Sequence, residues 1–290
     1  SRTEGDTANR LGGTDAPWSI IRTNTHETIF LVTAEGRCAA IHSLAIPIQK
    51  QDESGVPASK IAPLHRNDIL QGIFAVPIET NDLPERYIIT VTRQGMIKRS
   101  SVSELPGASA SSFVLVKTND NDELFKTILT DGKQDILLTT AKGMSIRFSE
   151  DDVRPMGLVA AGVNSIKLHD GDWVVGASTV CDKDEVALVT KSGLGKHISA
   201  AEYPVQGRYG QGVICWKLEK NDEIVAQLVG KLTEKGICHF RKSASKVFSI
   251  TNTPSRKRAA NGQSVFSLKN GDEVIGFTSI EDMSEYWSMK

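Results

Sequence analysis

An aspartate recurs at a fixed interval along most of this chain. Asp122, Asp172, Asp222 and Asp272 are spaced 50 residues apart, and an apolar run follows each of the last three. A constant period of this length indicates a repeat architecture, in which each repeat is one supersecondary unit. The spacing therefore predicts a chain built from similar units of about 50 residues.

Two sets of glycines keep a related register. Gly162, Gly212 and Gly262 are again 50 residues apart, and each opens a loosely alternating segment that predicts one strand per repeat. The second set closes a strand–turn–strand motif, where glycine takes the left-handed position of a short hairpin without strain. These predicted hairpin glycines are Gly36, Gly95, Gly143, Gly193 and Gly236.

These marks predict an all-β fold. Asp15 and Asp68 extend the aspartate series, each repeat has room for about four short strands, and no stretch shows a sustained helical stripe. A ring of four-stranded units removes exposed sheet edges. We therefore predict a propeller-like ring of five or six four-stranded blades over residues 16–282. Residues 1–15 are predicted to be a linker from a missing N-terminal part, and residues 283–290 a C-terminal tail.

Composition places the chain in a broad class. It has 290 residues, 39% of them hydrophobic, which is enough for a large core. It shows no leading signal segment and no apolar run of the length that a membrane helix needs, so we expect a soluble, intracellular protein without a membrane partner. Its cysteines lack a Cys-x-x-Cys pair, so buried thiols are expected and no metal site; they are Cys38, Cys181, Cys215 and Cys238.

The net charge of −1 hides an uneven distribution. Basic residues gather after the hairpin glycines and in the long loops, and acidic residues gather at the aspartate turns. A continuous cationic track is typical of a protein that binds a regular array of phosphates, whereas ordinary solvated turn charge is the alternative. The candidate nucleic-acid contacts are Lys50, Lys98, Arg99, Arg147, Arg154, Lys196, Arg208, Arg241, Lys242, Arg256, Lys257 and Arg258.

Catalytic motifs are not recognisable in this chain. Gly193-Leu194-Gly195-Lys196 faintly resembles a phosphate-binding turn, but it lies at a hairpin that other repeats share. The six histidines lie at different repeat positions without a nucleophile motif. We therefore predict no catalytic residue and no cofactor in this fragment.

Three segments resemble a known family. They are Asp151–Gly157 and the hairpins Thr92–Arg99 and Thr140–Arg147. They look like the C-terminal domain of bacterial DNA gyrase A subunits, and the resemblance runs from about Trp18 to Ile280. It implies a β-pinwheel, a propeller-like disc whose blades exchange a strand, and a basic rim that binds and bends DNA beside a separate catalytic core.

The resemblance also implies partners and a location. Double-stranded DNA, the catalytic core of the A subunit and the ATPase B subunit are expected partners in the whole enzyme, and ATP and Mg²⁺ would be needed only there. The whole enzyme would control DNA supercoiling by ATP-dependent strand passage in the bacterial cytoplasm, associated with the nucleoid.

One departure from the family pattern concerns a basic, glycine-rich box in the first blade of gyrases. The matching segment here reads Gln49, Lys50, Gln51, Asp52, Glu53, Ser54 and Gly55. Asp52 and Glu53 replace two glycines and would repel phosphate. Gyrase-type and topoisomerase IV-type readings therefore both stay open.

Two other functions remain from different classes. A protein-interaction propeller without DNA binding is favoured if the basic side chains scatter instead of following one edge. A propeller enzyme would need polar groups that converge in a central channel.

Overall fold

The protein is described here by a computed structural model that covers residues 17–48, 55–78, 84–109 and 111–282. Within these residues the chain is almost entirely β-structure, with one short helix, α1 (Ala58–Ile61), and five single 3-10 turns. The strands are β1 Ile20–Arg22, β2 Glu27–Thr33, β3 Arg37–His42, β4 Leu70–Pro77, β5 Tyr87–Thr92, β6 Met96–Ser101, β7 Phe113–Val114, β8 Leu124–Thr130, β9 Asp135–Thr140, β10 Met144–Ser149, β11 Val163–Asn164, β12 Val174–Val180, β13 Glu185–Thr190, β14 Leu194–Ser199, β15 Val213–Ile214, β16 Ile224–Gly230, β17 Lys235–Phe240, β18 Lys246–Ser249, β19 Gln263–Ser264 and β20 Val274–Asp282.

The strands form five four-stranded sheets, which we call blades 1 to 5. Their strand orders are β4-β2-β3-β7, β8-β5-β6-β11, β12-β9-β10-β15, β16-β13-β14-β19 and β1-β20-β17-β18. The strands β4, β8, β12, β16 and β20 pack in this order, each on the next, around a central cavity of about 700 Å³. The predicted all-β, propeller-like ring is confirmed, with five blades in the described part of the chain.

Neighbouring blades exchange a strand. The last strand of blades 1 to 4 has only two residues and comes from the following repeat, as where Val213 and Ile214 of β15 pair with Ser145 and Met144 of β10. This is the strand predicted after Gly212, but its partner is the preceding blade. The exchange joins each of these repeats to its neighbour, so blades 1 to 4 are complete only with a strand from the next repeat.

Blade 5 is completed in a different way. Its fourth strand is β1, which pairs in parallel with β20, so that the beginning and the end of the described chain meet. The hydroxyl of Thr278 lies 3.0 Å from the carbonyl oxygen of Pro17 and 2.9 Å from that of Trp18, and Ile21 packs against the core of blade 1. The strand β1 therefore joins blade 5 to blade 1 and closes the ring.

The recurring aspartates hold the hairpins. A carboxylate oxygen of each accepts a hydrogen bond of 2.9–3.0 Å from a backbone N–H in the hairpin of its own blade. The pairs are Asp122 with Gln94, Asp172 with Lys142, Asp222 with Ser192 and Asp272 with Lys242. Asp68 instead forms a salt bridge with Arg37, and Asp15 lies outside the described residues. The aspartate period therefore reflects one contact repeated in every blade from 2 to 5.

One predicted hairpin was wrong. The segment ending at Gly236 connects β16 to β17, and Gly236 lies inside β17. The true hairpin of blade 5 is residues 241–245, which contain no glycine. A longer loop does not need the left-handed glycine that the three-residue hairpins of the other blades use at Gly36, Gly95, Gly143 and Gly193.

Apolar clusters fill the blades and the space between neighbours. Cys38, Cys215 and Cys238 are buried in them, and burial raises the pKa of Cys215 to about 11. Cys181 was predicted to be buried and is exposed, because it lies in the turn between β12 and β13. Among the described residues, no helix is long and apolar enough to cross a membrane.

Candidate nucleic-acid interface

Each exchanged strand follows a loop that crosses to the outer edge of the preceding blade. Three of these loops, residues 155–162, 204–212 and 254–262, lie wholly within the described residues, and we call them the exchange loops. Backbone N–H groups at the start of each loop donate to carbonyls of the preceding blade: Met156 to Arg99 (2.8 Å), Gln206 to Arg147 (2.8 Å) and Arg256 to His197 (2.9 Å). The exchange loops therefore lie on the strand edge of the blade that is farthest from the channel, and we call this edge the rim.

Two of the predicted DNA contacts hold these loops from inside. Lys98 and Lys196 are fully buried. The ammonium of Lys196 donates to the carbonyls of Arg258 (2.5 Å) and Ala260 (2.7 Å) and lies 4.6 Å from the centre of the Trp216 ring. That of Lys98 donates to Leu115 (2.5 Å) and Leu158 (2.7 Å). Both lysines shape an exchange loop and have no surface to offer to DNA, so their prediction as direct contacts was wrong.

Burial lowers the pKa of Lys196 from 10.5 to about 8. Between these two pH values the unfolded chain binds more protons than the folded chain, so the free energy of unfolding rises with pH across this window. We expect wild type to gain about 1–2 kcal/mol relative to Lys196→Met between roughly pH 7.5 and 9.5. Ile146 occupies the equivalent position in blade 3, so an apolar side chain fits there. Urea unfolding of both proteins at the two pH values measures the difference, and identical pH profiles would contradict the lowered pKa of Lys196.

Arg99 and Arg147 join neighbouring blades. Both are nearly buried. The guanidinium of Arg147 lies 2.8 Å from the carboxylate of Asp135 in its own blade and 2.6 Å from that of Asp182 in the next repeat. That of Arg99 lies 3.1 Å from Asp151 of the next repeat. These two arginines therefore join neighbouring blades and have little surface left for DNA.

Five of the predicted contacts lie on the exchange loops or directly before one: Arg154, Arg208, Arg256, Lys257 and Arg258. None is buried, and the side chain of Lys257 is 88% exposed. The guanidinium groups of Arg208 and Arg258 each donate to a carbonyl of an exchanged strand, that of Asn164 and that of Ile214. A guanidinium has five N–H groups, so these contacts orient the two arginines and leave donors for a ligand.

Three further lysines at the rim were missed. Lys117, Lys167 and Lys217 are exposed and follow the exchanged strands at intervals of 50 residues. The backbone N–H of Lys167 donates to Gly210 (2.9 Å) in an exchange loop, and that of Lys117 donates to Ala160 (3.3 Å). Their 50-residue spacing was the signal that could have found them. With the loop residues they form what we call the rim track: Lys117, Lys167, Lys217, Arg154, Arg208, Arg256, Lys257 and Arg258.

Positive charge along the rim track increases towards blade 5. The first exchange loop, 155–162, has no basic residue and exposes Val159. The second, 204–212, carries Arg208 alone, and the third, 254–262, carries three adjacent basic residues. The rim therefore has a strongly cationic end and a weakly cationic end.

The remaining predicted residues do not join the rim track. Arg241 and Lys242 lie in the hairpin of blade 5, and Arg241 forms a salt bridge with Glu273 at the mouth of the channel. Lys191 lies 3.6 Å from the same carboxylate. Arg241 and Lys191 are therefore both paired with Glu273. Lys50 and the rest of the predicted box, residues 49–54, lie outside the described residues, and Gly55 is exposed.

Known families and proteins resemble this chain over most of its length. The DNA gyrase C-terminal domain family, a beta-propeller, matches residues 86–131, 134–181, 184–228 and 246–281, which together are more than half of the chain. The A subunit of DNA gyrase from Staphylococcus epidermidis is 32% identical over 157 residues, which cover 54% of this chain and 17% of that protein. The same gyrase subunit from Haloquadratum walsbyi is 32% identical over 167 residues, covering 57% of this chain and 20% of that protein. The matched part thus spans about a fifth of these relatives or less.

Solved structures share the fold. The C-terminal domain of DNA topoisomerase IV superposes with a TM-score of 0.82 at 23% identity, covering 92% of this chain and 83% of that one. The DNA gyrase A C-terminal domain superposes with a TM-score of 0.73 at 19% identity, covering 90% and 84%. At these identities the likeness concerns the fold. With the family match and the strand-exchanged blades, it follows that the chain belongs to the DNA gyrase C-terminal domain family.

Proposed function

We propose that the chain binds duplex DNA along the rim track and bends it. The observation that carries the proposal is the recurrence of cations at one repeat interval on one edge of the ring, at the exposed Lys117, Lys167 and Lys217 and again at the half-buried Arg208 and Arg258. A curved row of cations fits a phosphate backbone and offers no device for reading bases. Binding should therefore depend little on DNA sequence.

The contacts between the rim track and the DNA phosphates have to offset the free-energy cost of bending the duplex. Curving 20–30 base pairs by 40–90° costs on the order of 1–6 kcal/mol. Release of counterions by several lysines and arginines provides a driving force of that size at low salt. Because positive charge on the exchange loops increases towards blade 5, DNA is held most firmly at residues 254–262 and least firmly at residues 155–162.

The family membership supports a place in a larger enzyme. We infer that the domain presents a bent duplex to the catalytic core of a type II topoisomerase A subunit, in which ATP hydrolysis by a B subunit drives strand passage and changes DNA supercoiling. ATP and Mg²⁺ would act in those other parts. A bacterial cytoplasmic location, close to the nucleoid, follows from the same inference.

A salt series tests DNA binding. The domain is titrated into two labelled duplexes of equal length and unrelated sequence. If about four phosphates are contacted, the logarithm of affinity falls with the logarithm of salt concentration with a slope of roughly −3.5, which is about 100-fold between 50 and 200 mM. The two duplexes should differ by less than about threefold. Absence of binding at 50 mM salt would overturn the proposal and favour a protein-interaction scaffold.

A further inference from the structure

The outer edge of blade 5 lacks the strand that completes the other four blades. In blades 1 to 4 the exchanged strand pairs with the first two residues of the third strand, as where Val163 and Asn164 pair with Ile97 and Met96. Blade 5 receives β1 on its inner side instead, next to β20. Among the described residues, nothing pairs with the outer side of β18. Its edge therefore offers free backbone donors and acceptors.

The repeat shows what this edge is built to hold. Lys246 stands 50 residues after Lys196, and the aspartate contacts of the two hairpins keep the same spacing. Like Lys196, Lys246 places its ammonium over an aromatic ring, 5.6 Å from the centre of Phe240. Unlike Lys196, it is exposed and contacts no carbonyl among the described residues. Val247 beside it is 60% exposed. Lys246 thus occupies the position at which Lys196 binds the carbonyls of an exchange loop, but no such loop contacts it among the described residues.

The filled blades define the backbone of the missing segment. A carbonyl of the third strand accepts an N–H from the start of the exchange loop, and in blades 2 and 4 a lysine binds loop carbonyls. In blades 2 to 4 a glycine follows. A Cβ at Gly162 or Gly212 would lie 2.3 Å from a carbonyl oxygen of the sheet edge. Two residues in extended conformation complete the pairing. The edge of blade 5 therefore suits an extended segment that carries a glycine just before its paired residues.

Local charge defines its side chains. In blade 4 the carboxylate of Glu202 accepts from the backbone N–H of Arg258 (3.3 Å) and lies 3.7 Å from the ammonium of Lys257. It thereby favours a basic loop. The equivalent residue in blade 5 is Asn252, which is neutral, while Lys246 is cationic. A basic segment would therefore find no carboxylate partner at position 252 of blade 5. The positive charge of Lys246 favours a neutral or acidic segment instead.

We propose that the outer edge of blade 5, residues 244–247, is an acceptor site for an extended, non-basic segment of a partner protein. The segment adds a strand to β18, donates to the carbonyl of Val247, accepts from Lys246 through its own carbonyls and carries a glycine before the paired residues. This is recognition by strand addition, in which backbone hydrogen bonds supply affinity and neighbouring side chains supply specificity. The site is separate from the rim track and does not depend on DNA binding.

A peptide probe tests the proposal. A fluorescent peptide with the sequence of residues 155–166, the non-basic segment that fills blade 2, is titrated into the 290-residue chain and followed by anisotropy. We expect saturable binding and slower amide hydrogen exchange at residues 244–248. Lys246→Met should weaken binding about tenfold or more, which corresponds to about 1.4 kcal/mol. The matched variant Lys235→Met, an exposed lysine on β17 of the same sheet, should bind within about twofold of wild type.

Two further peptides set the specificity. A peptide with Gly162→Val should lose binding, and the peptide of residues 254–268, with its three adjacent basic residues, should bind several-fold more weakly. The proposal is overturned if neither peptide differs from the first, or if the first does not bind. It is also overturned if residues 244–248 are already protected in the free chain, which assigns the edge to the chain itself, or become protected only as a dimer forms, which assigns it to a second copy.

Discussion

Charge reversal of three rim lysines, Lys167→Glu, Lys217→Glu and Lys257→Glu, is expected to weaken duplex DNA binding by about 100- to 1,000-fold at 0.1 M salt. Each of these lysines is exposed, and each lies in an exchange loop or directly after an exchanged strand. Removing one phosphate contact lowers the slope of log affinity against log salt by about one unit, so the triple variant should lose about three units.

A matched control separates the rim from net charge. Lys133, Lys183 and Lys231 are equally exposed but lie in the turns that join an innermost strand to the next blade. Reversing these three changes the net charge by the same amount, and we expect an effect of less than about fivefold, because charges beyond a Debye length are screened. Equal losses for both triple variants would show that the rim track is not the binding surface.

The substitution Gly212→Ala is expected to destabilise the ring by about 2–4 kcal/mol. Gly212 has a φ of +76°, which an alanine adopts only with strain, and its Cβ would lie 2.3 Å from the carbonyl oxygen of Ser145. The oxygen belongs to the strand that receives β15, so the substitution forces the exchanged strand away from its sheet. Urea unfolding followed by tryptophan fluorescence, to which the buried Trp216 contributes, measures the change in midpoint.

Gly207 is the control in the same exchange loop. A Cβ there meets no atom within 4 Å, and its φ is not in the left-handed region. We expect Gly207→Ala to change the free energy of unfolding by less than about 0.5 kcal/mol. If the two variants were equally stable, the close approach of the exchange loop to blade 3 would be wrong.

The repeat could be predicted from sequence because its marks carry local chemistry. The carboxylate of Asp222 accepts a hydrogen bond from a hairpin N–H, and a residue without a side-chain acceptor would leave that contact unmade, so the aspartate recurs visibly. The same reasoning wrongly predicted a hairpin at Gly236. The motif that ends there has the composition of a hairpin, but it connects two blades, and nothing local distinguishes the two kinds of turn.

Strand exchange and the burial of charged side chains could not be predicted from local sequence patterns. Val213 and Ile214 could pair within their own blade or the preceding one, and only the packed ring decides between them. Charge alone predicted Lys196 as a DNA contact, although its ammonium is enclosed by carbonyls and an indole. Lys167, which has no such enclosure, was passed over because a single lysine between apolar residues is inconspicuous in one repeat. Comparison of equivalent repeat positions recovers it.

Energy transfer between the two ends of a duplex of about 40 base pairs tests the central claim most directly, because a bend shortens the end-to-end distance. The account predicts that transfer rises as the domain saturates the duplex, falls again as salt is raised, and does not rise with the Lys167→Glu, Lys217→Glu, Lys257→Glu variant. Saturating, salt-sensitive binding with no change in transfer would contradict it, because the rim would then bind DNA without bending it.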